Sequence, residues 1–197
     1  MLTIEKWFPT IIGYKINPDH NLIEQKLTDH CYNIQKTTES GGKNWMSSST
    51  YNTSSGQHDC FNDIEFASLN NWVIQSVNEY ASKLNLSTPI IPQSSWFNIY
   101  QKYDYQEFHT HPGAHISTIY FLKGSANGAK VCFKNNSADM LNISYDEYNN
   151  DSFTTVYYDP TPGKLLMFLS HTYHAVERHN VDDERISMSY NFIQGAK

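Results

Sequence analysis

Hydrophobic residues in the first half of the chain recur at helical spacing. A helix is predicted to begin at Asn17-Pro18-Asp19, because Asn is a common N-cap, Pro suits the first helical position and an acid suits the first turn. A second helix is predicted from about residue 62 to residue 84, where apolar residues return every three or four positions. The two apolar stripes are Leu22, Ile23, Leu27 and Ile34, and then Phe66, Leu69, Val73, Val77, Tyr80 and Leu84.

Two shorter segments accompany these helices. Residues Glu5–Tyr14 predict a short strand that Pro9 interrupts, and therefore an edge or entry segment, because Pro cannot donate a hydrogen bond within a sheet. Residues Ser40–Gln57 are rich in Gly, Ser, Thr and Asn, which predicts a loop that holds at most a short strand at Trp45–Thr50.

After Pro92 the pattern changes to short β-branched and aromatic runs separated by Gly, Pro, Asn and Asp. Eight strands are predicted, at Ser95–Tyr103, Phe108–His111, Ile116–Leu122, Ala129–Lys134, Phe153–Tyr158, Lys164–Phe168, Tyr173–Glu177 and Ile186–Ile193. Eight short strands after two helices predict a mainly β fold with flanking helices (α+β), built as a jelly roll or related barrel. The longest polar insert, Lys134–Ser152, is expected at the mouth of that barrel.

The predicted last strand alternates almost strictly between polar and apolar residues. Its apolar face is Ile186, Met188, Tyr190 and Phe192, and its polar face is Arg185, Ser187, Ser189 and Asn191. One interpretation is an edge strand with one solvated face. The other places the polar face inside the barrel, where the guanidinium of Arg185, with Ser187, binds a carboxylate through parallel hydrogen bonds.

Composition excludes several classes of protein. Hydrophobic residues make up 39% and charged residues 17% of the 197 residues, and no run approaches the ~18 apolar residues that a membrane span requires. The net charge is −6 with no basic patch, which argues against nucleic acid as a partner. Three scattered cysteines argue against a disulfide framework, and no signal peptide is evident. We therefore expect one soluble cytoplasmic domain.

The densest cluster of potential ligands is the segment from Glu107 to His115, EFHTHPGAH. Because side chains two apart on a strand share a face, Glu107, His109 and His111 are expected to point the same way. Neutral imidazoles held side by side on a strand can bind iron, copper or zinc. A second cluster, Ser170–His174 (SHTYH), follows another predicted strand far downstream.

Taken in order, these motifs resemble the iron(II) and 2-oxoglutarate-dependent oxygenases, and more narrowly the small bacterial and phage members with an H-x-H motif. The resemblance covers most of the chain, and its specificity lies in the ordered set rather than in any single motif. It is carried by Phe8-Pro9, Trp96-Phe-Asn98, His109-Thr-His111, Ser117-Thr-Ile-Tyr120-Phe-Leu122, Gly163–Ser170 (GKLLMFLS), His174-Ala-Val176 and Arg185-Ile-Ser187-Met-Ser189-Tyr-Asn191.

The resemblance implies a double-stranded β-helix, cupin-like in form, in a single oxygenase domain. Residues 1–92 would supply an N-terminal strand and supporting helices, and residues 93–197 the β-helix core. It implies that His109 and His174 bind Fe(II), that Arg185 with Ser187 binds the distal carboxylate of 2-oxoglutarate, and that Tyr120 and Asn98 are further candidate contacts to that co-substrate. The reaction implied is oxidation by O₂, such as hydroxylation of a protein side chain in the manner of prolyl hydroxylases or of a small metabolite, while 2-oxoglutarate is decarboxylated to succinate.

One position departs from the wider superfamily, whose members carry an acid two residues after the first histidine. Here that residue is His111, so three interpretations stay open. His111 is the third ligand, or Glu107 supplies a carboxylate, or the third position holds solvent or halide. We favour His111 because it occupies the acid's place in the strand.

Alternative functions and histidine roles also follow from the sequence. A non-catalytic jelly-roll binding module would not need the metal and carboxylate set, and a cupin-like metal dioxygenase would keep the histidines without needing Arg185. The histidines His20, His30, His58 and His179 are expected to be structural or exposed, and His115 and His171 to lie beside the ligands. The primary substrate and the oligomeric state, a homodimer among the options, stay open, and a phage-encoded chain would act in the host cytoplasm.

Overall fold

The fold was described from a computed structural model, which describes residues 2–42, 45–47, 49–86, 89–135 and 144–195. These residues form two α-helices and ten strands. They are β1 (Ile12–Ile16), α1 (His20–Thr37), β2 (Tyr51–Asn52), α2 (Ala67–Lys83), β3 (Ile90–Tyr100), β4 (Gln106–His109), β5 (Ile116–Lys123), β6 (Val131–Lys134), β7 (Thr155–Tyr158), β8 (Lys164–Leu169), β9 (His174–Val176) and β10 (Arg185–Gln194). Two 3₁₀ turns, Cys60–Asn62 and Ile64–Phe66, precede α2.

The strands form two antiparallel sheets. The major sheet has the order β1-β8-β5-β10-β3-β2 and the minor sheet the order β4-β9-β6-β7. Apart from the consecutive pairs β2–β3 and β6–β7, neighbouring strands come from distant parts of the chain, as in a jelly roll. The predicted fold class, a double-stranded β-helix with flanking helices, is confirmed.

The two helices cover the outer face of the major sheet and create the larger hydrophobic core. The apolar residues of β10 that alternate from Ile186 to Phe192 all lie in that core, together with Leu27 of α1 and Val73 of α2. The polar residues between them therefore face the opposite way, into the space between the sheets. Here the inward polar face is the correct interpretation of the alternation, and the solvated edge strand is wrong, because β10 lies between β5 and β3.

A second, smaller core fills the closed part of the space between the sheets. It contains Phe121 and Ile119 of β5, Phe133 of β6, and Leu166 and Phe168 of β8. Because these side chains fill one end, the polar residues of β10 meet the minor sheet at the other end. The site described below lies there.

The eight strands predicted after Pro92 are all present, with ends that differ by a few residues. The second helix begins at Ala67 rather than near residue 62, because Asp63 accepts a hydrogen bond from the backbone N–H of Glu65 and holds a 3₁₀ turn there. The short strand expected at Trp45–Thr50 is wrong for its described residues, and β2 follows it instead.

The N-terminal segment contributes directly to the major sheet, since β1 is its edge strand and pairs with β8. In the expected polar insert Lys134–Ser152, residues 136–143 lie outside the described residues. No helix among the residues described is both long and apolar enough to cross a membrane.

Candidate active site

Three imidazoles meet where the minor sheet faces β10. His109 ends β4 and His174 begins β9, and the two residues are directly paired across these strands. The ring centroids lie 4.3 Å apart for His109 and His174, 5.2 Å for His109 and His111, and 5.0 Å for His111 and His174. One nitrogen from each ring falls within 4.8 Å of the other two, which suits a shared metal ion.

Hydrogen bonds fix the orientation of each ring. The Nδ1 atom of His109 lies 2.7 Å from the carbonyl oxygen of Glu107, and that of His174 lies 2.9 Å from the carbonyl oxygen of Thr172. The Nδ1 atom of His111 lies 2.7 Å from the Asn191 side-chain oxygen. Donation from Nδ1 leaves the Nε2 lone pair of each ring available, which is the tautomer that metal-binding histidines adopt.

The site also favours neutral imidazoles, which are the form that binds a metal. Burial lowers the pKa of His109, lowers that of His111 to about 4, and lowers that of His174 well below its ordinary value. The neighbouring imidazoles lower the pKa values of His111 and His174 further, because two adjacent cations repel. Both effects therefore favour the uncharged form of all three rings.

The position of Glu107 differs from the sequence expectation. Gln106 pairs with Val176 and His109 with His174, so three steps along β4 match two along β9, which is a β-bulge. The bulge breaks the two-residue alternation and brings Gln106, rather than Glu107, to the cavity beside the three imidazoles. Among the described residues, the carboxylate of Glu107 does not belong to the cluster of nitrogens.

His111 reaches the cluster from beyond the end of β4 rather than as part of that strand. Its backbone N–H donates to the carbonyl oxygen of Ser170 at 2.9 Å, and the hydroxyl of Ser117 lies 2.9 Å from its Nδ1 atom. The expectation that His109 and His111 point the same way is confirmed, since their rings stack and both face His174, although His111 lies two residues beyond the end of β4.

Arg185 lies in the same cavity and is completely buried, with 0% of its surface exposed. Its Nη1 atom donates to Ser187 Oγ at 3.4 Å, while Nε and Nη2 have no hydrogen-bond partner among the residues that the structure describes. The guanidinium lies over the rings of Tyr100, at 4.6 Å, and Phe121, at 5.1 Å. Burial lowers the pKa of Arg185 and the adjacent Tyr100 opposes this shift.

A buried guanidinium without an anionic partner is energetically costly, so this one is expected to receive a ligand. The cavity that these residues line encloses about 360 Å³ of space free of protein atoms, including its open mouth. Asn98 lies beside the arginine, with its amide nitrogen 3.5 Å from Ser187 Oγ and its buried Oδ1 atom unpartnered. The site can therefore hold a metal ion at one end and a carboxylate at the other.

The structure corrects the expectation that Tyr120 contacts the co-substrate. Its hydroxyl lies 2.8 Å from Nδ1 of His20, and its ring packs in the core beneath the helices. Alternation along β5 is the reason, because Ile119 faces the cavity and the next residue must face the opposite side of the sheet. Tyr120 therefore does not line the cavity.

The remaining histidines lie outside the triad. His20 and His179 are buried and hydrogen-bonded, His171 is exposed, and Nδ1 of His115 accepts from the Gln194 backbone N–H. His30 and His58 form a separate cluster, in which each Nε2 atom donates to the same carboxylate oxygen of Asp63, at 2.6 and 2.8 Å.

Sequence reasoning missed several residues around the site. Tyr100 beneath the guanidinium could have been found from its alternation with Asn98 on β3. The roles of Ser117 and Asn191 in holding His111 require the pairing of β5 with β10, where these two residues lie opposite each other. The sequence did not indicate that Gln106 lines the cavity, because strict alternation along β4 would place it on the opposite face from His109 and only the bulge reverses this.

Comparisons with known proteins were made on the sequence and on the fold. Residues 94–191 match a family model described as "Putative 2OG-Fe(II) oxygenase". The matched segment contains the three histidines, Arg185, Ser187 and Asn98. A search of curated proteins gave no significant match.

Solved structures share the fold at low sequence identity. A prolyl-4-hydroxylase from Pseudomonas putida has 13% identity and a TM-score of 0.61, covering 95% of this chain and 94% of its own. A Trichoplax adhaerens prolyl hydroxylase, solved with a hypoxia inducible factor peptide, has 12% identity, a TM-score of 0.63 and coverages of 92% and 84%. HygX from Streptomyces hygroscopicus, solved with nickel and 2-oxoglutarate, has 10% identity, a TM-score of 0.57 and coverages of 92% and 83%.

Proposed function

Through residues 94–191 the chain belongs to the 2OG-Fe(II) oxygenase family, and we propose that His109, His111 and His174 hold its iron while Arg185 holds its 2-oxoglutarate. The enzyme is accordingly an Fe(II)- and 2-oxoglutarate-dependent oxygenase. The observation that supports the residue assignment best is the buried, incompletely paired guanidinium of Arg185, which lines the same cavity as the three imidazoles.

Each residue has a role that follows from its contacts. The imidazoles present three neutral nitrogens, and the hydrogen bonds to their Nδ1 atoms orient them before any metal binds. Arg185 donates to the distal carboxylate of 2-oxoglutarate with help from the hydroxyl of Ser187. Fe(II), once bound with 2-oxoglutarate, supplies the activation of O₂ that is coupled to decarboxylation of the co-substrate to succinate.

His111 is the third ligand in this proposal, in place of the acid found there in the wider superfamily. Three neutral ligands leave the full charge of the metal available to the dianionic co-substrate. The rigid support from Ser117 and Asn191 favours His111 over Glu107, whose Oε1 atom instead accepts from the backbone N–H of Met46 at 3.4 Å.

The alternatives leave specific features unexplained. A non-catalytic binding module needs neither the preoriented imidazoles nor the buried arginine. A cupin-like metal dioxygenase accounts for the histidines, but an arginine held at 0% exposure with two donor atoms unused would only destabilise it. We propose that the oxidised substrate is a protein side chain or a small metabolite that enters at the open mouth.

The proposal is tested by measuring succinate formed from 2-oxoglutarate with anaerobically loaded Fe(II) and then O₂. We expect iron to bind, 2-oxoglutarate to raise the melting temperature only when metal is present, and His174→Ala to abolish both effects. His171→Ala is the matched control, because this exposed histidine lies three residues away and outside the triad. Retention of metal-dependent 2-oxoglutarate binding in His174→Ala would reject the assigned centre.

A further inference from the structure

A groove extends outward from the metal centre and shares part of its wall with the cavity described above. Trp45, Trp96, Gln106, His109 and His111 line both spaces, so a molecule in the groove lies directly beside the three imidazoles. The groove is where a primary substrate would have to lie, since the cavity behind it is assigned to 2-oxoglutarate.

Two hydrogen-bond acceptors in the wall of this groove have no partner. The Oε1 atom of Gln106 and the Oε2 atom of Glu107 are both buried and make no hydrogen bond with any residue that the structure describes. Gln106 is only 5% exposed. Native proteins rarely leave buried acceptors unpaired without a ligand or water to satisfy them, so this part of the wall is built for a hydrogen-bond donor.

The charges around the groove indicate which kind of donor it is. Among its described lining residues there are two acids, Asp59 and Glu107, and neither a lysine nor an arginine. Asp59 is already used, because its carboxylate accepts from Ser95 Oγ at 2.6 Å and from the side-chain nitrogen of Asn62 at 2.6 Å. Glu107 is therefore the acid that keeps a carboxylate oxygen available for a ligand, within the part of the chain that the structure describes.

The indole rings of Trp45 and Trp96 complete the wall. An indole face attracts a nearby cation, and attraction to the unsatisfied carboxylate oxygen adds to it. A neutral hydroxyl would satisfy one acceptor but not the charge, and a carboxylate or phosphate would be repelled. An alkylammonium or guanidinium group provides several N–H donors and the opposite charge together.

We propose that Glu107 and Gln106 bind a cationic nitrogen group, an alkylammonium or a guanidinium, on the primary substrate of the enzyme. This inference rests on the proposed function for the identity of the neighbouring centre. Gln106 and Glu107 line the same groove as the metal ligand His109, so the bound cation lies beside the metal centre.

The test compares probes that differ only in charge. Wild-type protein loaded with Ni²⁺ and 2-oxoglutarate is titrated with n-butylammonium, n-butylguanidinium, n-butanol and butyrate, and binding is followed by ligand-observed NMR. We expect at least one cationic probe to bind about tenfold or more tightly than n-butanol, and butyrate to bind most weakly. Equal binding of the cationic and neutral probes to the wild type would overturn the inference without any variant.

Glu107→Gln removes the charge while keeping the size of the side chain, and should abolish the preference for the cationic probes. Glu79→Gln is the matched control, because Glu79 is paired with Lys15 on the exposed face of α2 and should leave the preference intact. A preference that persists in Glu107→Gln, or a loss of Ni²⁺ binding in it, would overturn the assignment, the latter by making Glu107 a metal ligand.

The 2-oxoglutarate-dependent rise in melting temperature is measured on the same samples. If that rise is absent in the wild type while the cationic probes still bind selectively, the co-substrate assignment fails and the groove assignment stands. If the rise is present and the cationic probes bind no more tightly than n-butanol, the groove assignment fails and the co-substrate assignment stands. Should Glu107→Gln fail to fold, Gln106→Met removes the second acceptor and is expected to weaken cationic binding several-fold.

Discussion

Replacing Arg185 by methionine separates the binding role of this residue from any structural role. The side chain is fully buried, its hydrogen bond to Ser187 Oγ is long at 3.4 Å, and no acid among the described residues pairs with it. Methionine is unbranched like arginine, although shorter, and fills much of the space above the rings of Tyr100 and Phe121 without bringing a charge into it. Exchanging buried charge for apolar side chains is often neutral or stabilising. We therefore expect the ligand-free variant to unfold at or above the wild-type temperature.

The effect on 2-oxoglutarate should be large. At a concentration one hundred times the dissociation constant, a ligand stabilises its protein by about 2.7 kcal/mol. For a chain of 197 residues each kcal/mol corresponds to roughly 2–4 °C, so the wild type should gain roughly 5–11 °C. Losing one partner of a buried charge pair costs about 3–5 kcal/mol, which weakens binding by a factor on the order of 10² to 10³ or more.

Differential scanning fluorimetry with Ni²⁺, with and without 2-oxoglutarate, measures both effects. The variant should gain less than about 2 °C at a concentration that saturates the wild type, given that weakening. Arg178→Met is the matched control, because Arg178 is exposed and lies over Tyr103 outside the cavity. An undiminished gain in Arg185→Met, or a ligand-free variant that unfolds well below the wild type, would refute the reasoning.

Three further predictions test the surroundings of the site. Asn191→Ala removes the acceptor at Nδ1 of His111 and should weaken Ni²⁺ binding by about tenfold in calorimetry. Asn71→Ala, at an exposed asparagine of α2, is the control and should leave Ni²⁺ binding unchanged. Asp63→Asn should cost about 2 kcal/mol in urea unfolding at pH 7. Burial raises the pKa of Asp63, but hydrogen bonds from two imidazoles lower it on balance. The difference in unfolding free energy between the wild type and Asp63→Asn should therefore persist above the ordinary pKa of 3.8 and shrink as the pH falls below it. A difference that does not depend on pH would contradict a role for the charge of Asp63. Gly163→Ala should cost about 2 kcal/mol in the same assay, because Gly163 has a φ of +80° and a Cβ there would lie 2.9 Å from His20; an unchanged midpoint would contradict this.

The order of motifs along the chain was enough to predict the fold class and to identify the three histidines and Arg185 that meet at the site. The alternation from Arg185 to Asn191 requires a strand with two different faces, whatever its neighbours are. The separation between His111 and His174 likewise requires distant strands to meet. These features depend on local geometry and residue chemistry, which the sequence contains directly.

The sequence of β10 did not decide whether its polar face borders water or a cavity, because a polar face suits either. It was decided when α1 and α2 covered the apolar face and left the polar face to the minor sheet. The same applies to Tyr120, whose hydroxyl suits a co-substrate site but meets His20 on the other side of the sheet.

The sequence by itself determined which chemical groups are available and in what order they follow one another. Tertiary structure alone decided that a bulge in β4 turns Gln106 toward the cavity, that Arg185 has no acidic partner, and that Glu107 keeps an unsatisfied oxygen beside the metal centre. The physical reason is that strand register and hydrogen-bond satisfaction depend on residues far apart in the chain, and no local pattern encodes their pairing.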